Sequence, residues 1–210
     1  MLNRSTRPPA NCKLNRQLLG LLFLMVLAAP VAAPAKQFFL ILDPYFYRSP
    51  INLPVDGTKE TVLTFYRAVD DQTLTPAQPQ ELNNEEQATV KRQTENHARK
   101  LLEMSKPEVF RDSHGVITAL RIHSPDPTLS GILLLPDIGN YYANLLGPDC
   151  FFAVPNRQTV LFFPRLASSI QSFSALVQSL YHNDPWPIST EIFEMAGGKL
   201  RATGKFTEEF

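Results

Sequence analysis

The chain has 210 residues, with 20 basic and 20 acidic side chains, 18 prolines and two cysteines. Balanced charge with no basic stripe lacks the electrostatic footprint of nucleic-acid binding, so no nucleic-acid partner is expected. Two cysteines, Cys12 and Cys150, supply neither a disulfide framework nor a cysteine cluster for a metal.

Residues 1–35 read as an export signal. Arg4, Arg7, Lys13 and Arg16 form a positive segment without an acid, Leu18 to Ala29 is a twelve-residue apolar core, and Ala33-Pro34-Ala35 has the small-x-small pattern of a cleavage site. The alternative is an N-terminal membrane anchor, but a spanning helix needs about 20 apolar residues. Cleavage after Ala35 leaves no stable membrane span, and the protein is expected in the periplasm or outside the cell. It also removes four basic groups, leaving 16 basic against 20 acidic, a net charge of −4. Cys150 is then the remaining cysteine, and inside an apolar run it reads as a small buried hydrophobe.

Residues 36–59 read as an extended N-terminal arm: the apolar run Phe38 to Leu42 is one strand or a partly ordered arm, and Asp43-Pro44, Ser49-Pro50 and Pro54-Val55-Asp56-Gly57 make an extended loop. Tyr45, Phe46 and Tyr47 are either a binding lip or a flap over the core. A single α+β domain is expected over 60–203. Thr61 to Val69 has the β-branched and aromatic content of a strand, and Asp70-Asp71-Gln72 is a solvated turn rather than a metal site.

Asn84 with Gln87 has capping-box spacing and opens a helix whose Val90, Thr94, Ala98, Leu101 and Leu102 form one buried stripe. His97 borders that stripe, and Lys91 and Arg92 lie on the solvated face. Val109–Phe110, the turn Asp112-Ser113-His114-Gly115 and Val116 to Ile122 read as a hairpin. Gly131 to Leu135 looks like a short strand buried on both faces. Pro136-Asp137 opens a helix to Leu146, with Asp137 at its cap and Gly147-Pro148 as its stop.

Two apolar runs, Cys150 to Val154 and Thr159 to Phe163, are joined through Pro155-Asn156-Arg157-Gln158. They read as neighbouring strands at the centre of the core, with the break reaching solvent. Ser168 or Ser169 caps another helix with Ile170, Phe173, Leu176, Val177 and Leu180 on its buried stripe. Glu191 to Met195 and Leu200 to Ala202, around Gly197-Gly198, form a last hairpin, and 204–210 read as a frayed tail. Short turns between strands, interrupted by about three helices, give an α+β class with a largely antiparallel sheet.

The motifs of common enzymes are missing: no G-x-S-x-G elbow, no H-E-x-x-H and no Gly-rich phosphate loop. No cofactor or metal is expected. Three polar residues are candidates for binding. Arg157 has the geometry to clamp a carboxylate or phosphate, against a plain reading as a solvated or Asp149-paired arginine. Asp137 and Asn140 would line a pocket, against a plain reading as helix-capping groups.

Several short segments in order resemble the bacterial domain of unknown function 1444 family: Phe65-Tyr66-Arg67-Ala68-Val69-Asp70, Thr94-Glu95-Asn96 through Leu101, Ala153-Val154-Pro155, Trp186-Pro187-Ile188-Ser189 and Gly198-Lys199-Leu200. The resemblance runs over roughly residues 60–202. It implies a fold and brings no activity and no catalytic residue. The chain departs from the family in its N-terminal portion and at Gln158, where the family usually has an aspartate. The expected function is therefore a non-catalytic binding domain of the cell envelope, with an envelope protein as a candidate partner. The alternative is a small hydrolase-like enzyme with a site near Arg157 and Asp137.

Overall fold

The computed structural model describes residues 36–47, 49–166 and 170–207. The expected signal over 1–35 and the expected caps Ser168 and Ser169 lie outside the described residues. Two antiparallel sheets and a few helices build an α+β fold. The first sheet holds β1 (Phe38–Pro44), β2 (Asn52–Pro54), β3 (Thr61–Ala68) and β4 (Leu74–Pro76). Strand β3 is central, with β1 on one side and β2 and β4 on the other. The second sheet comprises β5 (Glu108–Arg111), β6 (Ile117–His123), β7 (Phe151–Asn156), β8 (Thr159–Phe163), β9 (Glu191–Ala196) and β10 (Lys199–Lys205), in the order β10-β9-β7-β8-β6-β5.

The β7–β8 hairpin lies at the centre of the second sheet, and its alternation divides the core. Phe152, Val154, Val160 and Phe162 pack on one face with Ala98, Leu102, Leu129 and Ile132. Ala153, Leu161 and Phe163 pack on the other with Val177 and Phe206. The first face meets helix α1 (Asn84–Met104) and the second meets the final helix (Ser174–His182). Period-two side-chain alternation makes one hairpin serve two apolar layers.

Helix α1 buries Val90, Thr94, Ala98, Leu101 and Leu102, the expected stripe. Its cap sits one residue earlier than expected: Asn83 accepts from the N–H groups of Glu85 and Glu86, and Glu86 reaches back to the Asn83 N–H at 2.7 Å. This is a complete capping box with the acid at the third helical position.

The run expected as a strand at Gly131–Leu135 is instead part of a 3-10 helix, Leu129–Leu134. An apolar run buried all round has no periodicity to separate strand from helix. The edge strand β1 accounts for its place. The Leu42 N–H donates to Ser130 Oγ at 3.1 Å and the Leu40 N–H to Thr94 Oγ1 at 2.9 Å, so side chains of this segment and of α1 satisfy the open sheet edge. Gly131 is required there, because a Cβ would stand 2.9 Å from Thr94 Cγ2.

Three further expectations are corrected. Residues 36–59 are no peripheral arm: Phe39 to Pro44 are buried in β1, and β2 follows in the same sheet. The helix expected from Asp137 to Leu146 is two four-residue helices, α2 (Ile138–Tyr141) and α3 (Ala143–Leu146), and the Asp137 side chain caps neither. Helix α4 (Ser174–His182) follows a 3-10 turn over Ile170–Phe173. The tail is ordered past Gly204, since β10 runs to Lys205 and the Phe206 ring is fully buried, its N–H donating to the Thr190 carbonyl at 2.9 Å. Among the described residues no helix is long and apolar enough to cross a membrane.

Phe162 stands edge-on to Phe152 at 5.4 Å and to Tyr142 at 5.2 Å, with no exposed surface. Phe162→Ala is expected to cost about 3–5 kcal/mol in denaturant unfolding. A loss below about 1 kcal/mol would show that this layer is not the centre of the core.

Candidate functional site

Arg157 lies at the turn between β7 and β8, and it does not reach solvent as the sequence suggested. It is 8% exposed and its partner is not Asp149. Its Nη2 donates to Asp43 Oδ1 at 3.1 Å and to the Tyr66 hydroxyl at 2.6 Å, while Tyr66 donates to Asp43 Oδ2 at 2.7 Å. The guanidinium carbon lies 4.8 Å from the Tyr66 ring centre and 4.9 Å from that of Trp186. The Arg157 N–H also donates to the Trp186 carbonyl. Asp43 and Tyr66 belong to β1 and β3 and Arg157 to the β7–β8 turn, so the cluster ties the first sheet to the second.

Burial raises the Asp43 carboxyl above its usual value, against the opposing pull of the Tyr66 hydrogen bond and the Arg157 charge. Burial and the neighbouring Asp43 charge push the Tyr66 phenol up as well. A guanidinium bonded to a carboxylate and a phenol and stacked between two rings is a structural clasp. A second polar join lies at Glu191 on β9. Its Oε2 accepts from Thr58, Thr61 (2.6 Å) and Ser189 (3.2 Å), and its Oε1 accepts from the Lys59 N–H (3.2 Å).

The other candidates belong elsewhere. Asp137 takes a bidentate bond from Arg99 of α1, at 2.9 and 3.0 Å, and that guanidinium holds its carboxyl below the usual range. Asn140 is exposed and its N–H donates to the Asp137 carbonyl. Arg157 and Asp137 thus sit in separate ion pairs, and the structure does not join them through a histidine. His97 pairs with Asp126 at 2.9 Å, which also accepts from both the N–H and the hydroxyl of Thr128. Cys150 is buried, and burial pushes its thiol up to about 11. Among the described residues no three of His, Cys, Asp and Glu are placed to hold a metal. The aromatic segment Tyr45–Tyr47 is exposed, with Tyr45 and Phe46 each 61% accessible, and is no flap over the core.

The feature the sequence did not disclose is a groove of about 560 Å³ where the two sheets meet. Leu40 and Leu63 of the first sheet, Leu133 and Leu134 of the 3-10 segment, and Met195 and Leu200 of the β9–β10 hairpin line it. Leu53 and Pro54 of β2 form its lip, and the charged groups on its wall are Asp56, Lys91 and Lys199. Its volume falls within the range of about 300–1,000 Å³ typical of small-molecule sites. These residues come from elements far apart in the chain, so no local motif announces them. The single signal was Leu53, an apolar residue in a proline-bounded segment with little else to bury it.

A scan against protein-family models, a search of curated proteins and a search of solved structures each returned no match.

Replacing Arg157 by Leu is expected to cost about 3–5 kcal/mol near neutral pH, because a buried carboxylate loses its counter-charge. The pH dependence has a definite sign. A carboxyl raised in the folded state contributes stability that is full below its unfolded pKa and is lost as pH rises through the folded value. Removing Arg157 enlarges that rise, so the deficit measured in urea should be larger at about pH 7 than at about pH 4. An equal deficit at both pH values would contradict the clasp. In a Cys12→Ser background, Cys150 is expected to resist thiol reagents until the chain unfolds, and ready labelling of the native protein would contradict its burial.

Proposed function

We propose that the chain is an exported, non-catalytic binding domain of the cell envelope, and that it takes its ligand in the groove at the sheet junction. The observation that carries the reading is the groove itself, a concave, mostly aliphatic site with a few charged groups at its wall. The polar residues that a hydrolase-like alternative would use are engaged: Arg157 by Asp43 and Tyr66, Asp137 by Arg99. Export is supported by the basic, apolar and small-residue order of residues 1–35. Strand β1 begins at Phe38, two residues after the start expected on cleavage. Processing at Ala35 would leave every described strand intact.

The proposed kinship with the domain of unknown function 1444 family fits the same picture. Its matching segments fall on β3, on α1, on β7, in the loop before β9 and at the β9–β10 turn. Of these segments only Gly198-Lys199-Leu200 lines the groove, and the kinship adds no chemistry to it.

Photoreactive side chains at position 53, on the groove lip, and at position 186, over the Arg157 clasp, test the assignment in cells. The expected result is an adduct with an envelope component from position 53 and none from position 186, on a chain found in the envelope or exported fraction. Adducts confined to position 186, or a chain retained in the cytosol with Met1 intact, would refute it.

A further inference from the structure

The groove's walls specify what fits it, and the inference rests on its being the ligand site. The interior is aliphatic: Leu53, Leu63, Met195 and Leu200 present branched or unbranched hydrocarbon to the cavity. Met195 is the adaptable member, an unbranched thioether of the kind found where a surface must fit a flexible partner. The charged groups favour an anion. Lys199 has no ion-pair partner among the described residues. Among the described residues the ion pair of Lys91 is an exposed one, to Glu95 at 4.0 Å. The opposing charge, Asp56, lies beside Arg201 and acts on it. Two ammonium groups at a hydrocarbon wall are the complement of a chain with an acidic head.

The backbone around the groove disfavours an extended peptide. Peptides that add to a sheet need a free strand edge to supply main-chain hydrogen bonds. Here the gap between β2 and β10 is already stitched, since the Ala202 N–H donates to the Asp56 carbonyl at 2.8 Å. Pro54 has no N–H to offer. The seam is tight at Gly57, with φ of +73°, where a Cβ would stand 2.4 Å from the Ala202 carbonyl oxygen. The opposite edge of the first sheet is closed by Thr94 and Ser130. What is left for a ligand is hydrocarbon surface with two ammonium groups, Lys91 and Lys199, against one carboxylate, Asp56.

We propose that the groove binds a long-chain fatty acid, its acyl chain against Leu53, Leu63, Met195 and Leu200 and its carboxylate at Lys91 and Lys199. The test is calorimetric titration of the chain as expressed, with palmitate below its micellar concentration. Myristate, hexadecanol and hexadecyltrimethylammonium serve as comparison ligands. Palmitate is expected to bind at one site, and shortening by two carbons should weaken it about tenfold. Lys91→Glu with Lys199→Glu should weaken palmitate by about tenfold or more and leave hexadecanol within about twofold. Leu53→Arg and Met195→Arg should each abolish binding. Leu53 is already 37% exposed, so its variant is expected to fold as the parent does, which thermal unfolding checks. The N-terminal apolar segment is unaltered in all four substitutions, so binding by that segment would not respond to them.

Equal affinity for palmitate and the trimethylammonium amphiphile would overturn the proposal. So would palmitate binding that survives both arginine substitutions. Failure to bind palmitate, with an envelope adduct still formed from position 53, would sink the fatty-acid assignment and leave the groove as the binding site. If that adduct were a polypeptide, the ligand class would be wrong. Loss of both results would remove the two readings together.

Discussion

The buried contact of Arg157 with Asp43 and Tyr66 sets the geometry on which the rest of the molecule depends. The two sheets share little backbone pairing, the bridge between Asp56 and Arg201 being a single isolated one. What fixes their relation is apolar packing plus polar side chains that cross between them. Arg157 reaches from the β7–β8 turn into the face of β1 and β3, and Glu191 on β9 collects the hydroxyls of Thr58 and Thr61. Apolar contact alone is non-directional and leaves the angle between two sheets loosely set. A carboxylate that must meet a guanidinium at depth permits one arrangement, because any other leaves a charge unpaired in the interior.

The groove follows from that arrangement. Arg157 and Glu191 join the two sheets by polar contacts, and the groove lies at the same junction. The gap is walled by whatever side chains the strands present there, and in this chain they are leucines and a methionine with lysines beside them. A cavity formed between rigid sheets is pre-shaped, so a ligand need not order it on entry. The polar groups of the clasps are internally satisfied and contribute position rather than chemistry. Binding at the seam, rather than transformation at a catalytic cluster, is the function we propose for this architecture.

Local pattern made much of the fold legible. The β-branched and aromatic content of Thr61–Val69, the turn glycines at Gly115 and Gly197-Gly198, and the stripe Val90 to Leu102 each determine their own element within a short window. The 3-10 segment was not legible, because its leucines are buried on all sides and carry no period. The Phe38–Leu42 run has strand character, and the prolines and aromatics that follow it leave a strand and an arm equally open from the sequence. Arg157 was singled out correctly as unusual and placed wrongly in solvent. Its partners lie 114 and 91 positions away, and nothing in a single chain pairs residues at that distance. Asp43, an acid at the end of an apolar run, was the visible half of that interaction. The groove was the least legible feature, since its wall comes from seven elements spread along the chain.

A double-mutant cycle on Asp43 and Arg157 tests the central claim most directly, with Asp43→Asn, Arg157→Leu and the pair compared by equilibrium unfolding. The clasp predicts a coupling energy of about 1.5–3 kcal/mol, the double variant being much less destabilised than the sum of the single ones. Additive losses, with a coupling near zero, would contradict it and leave the sheets joined by apolar packing alone.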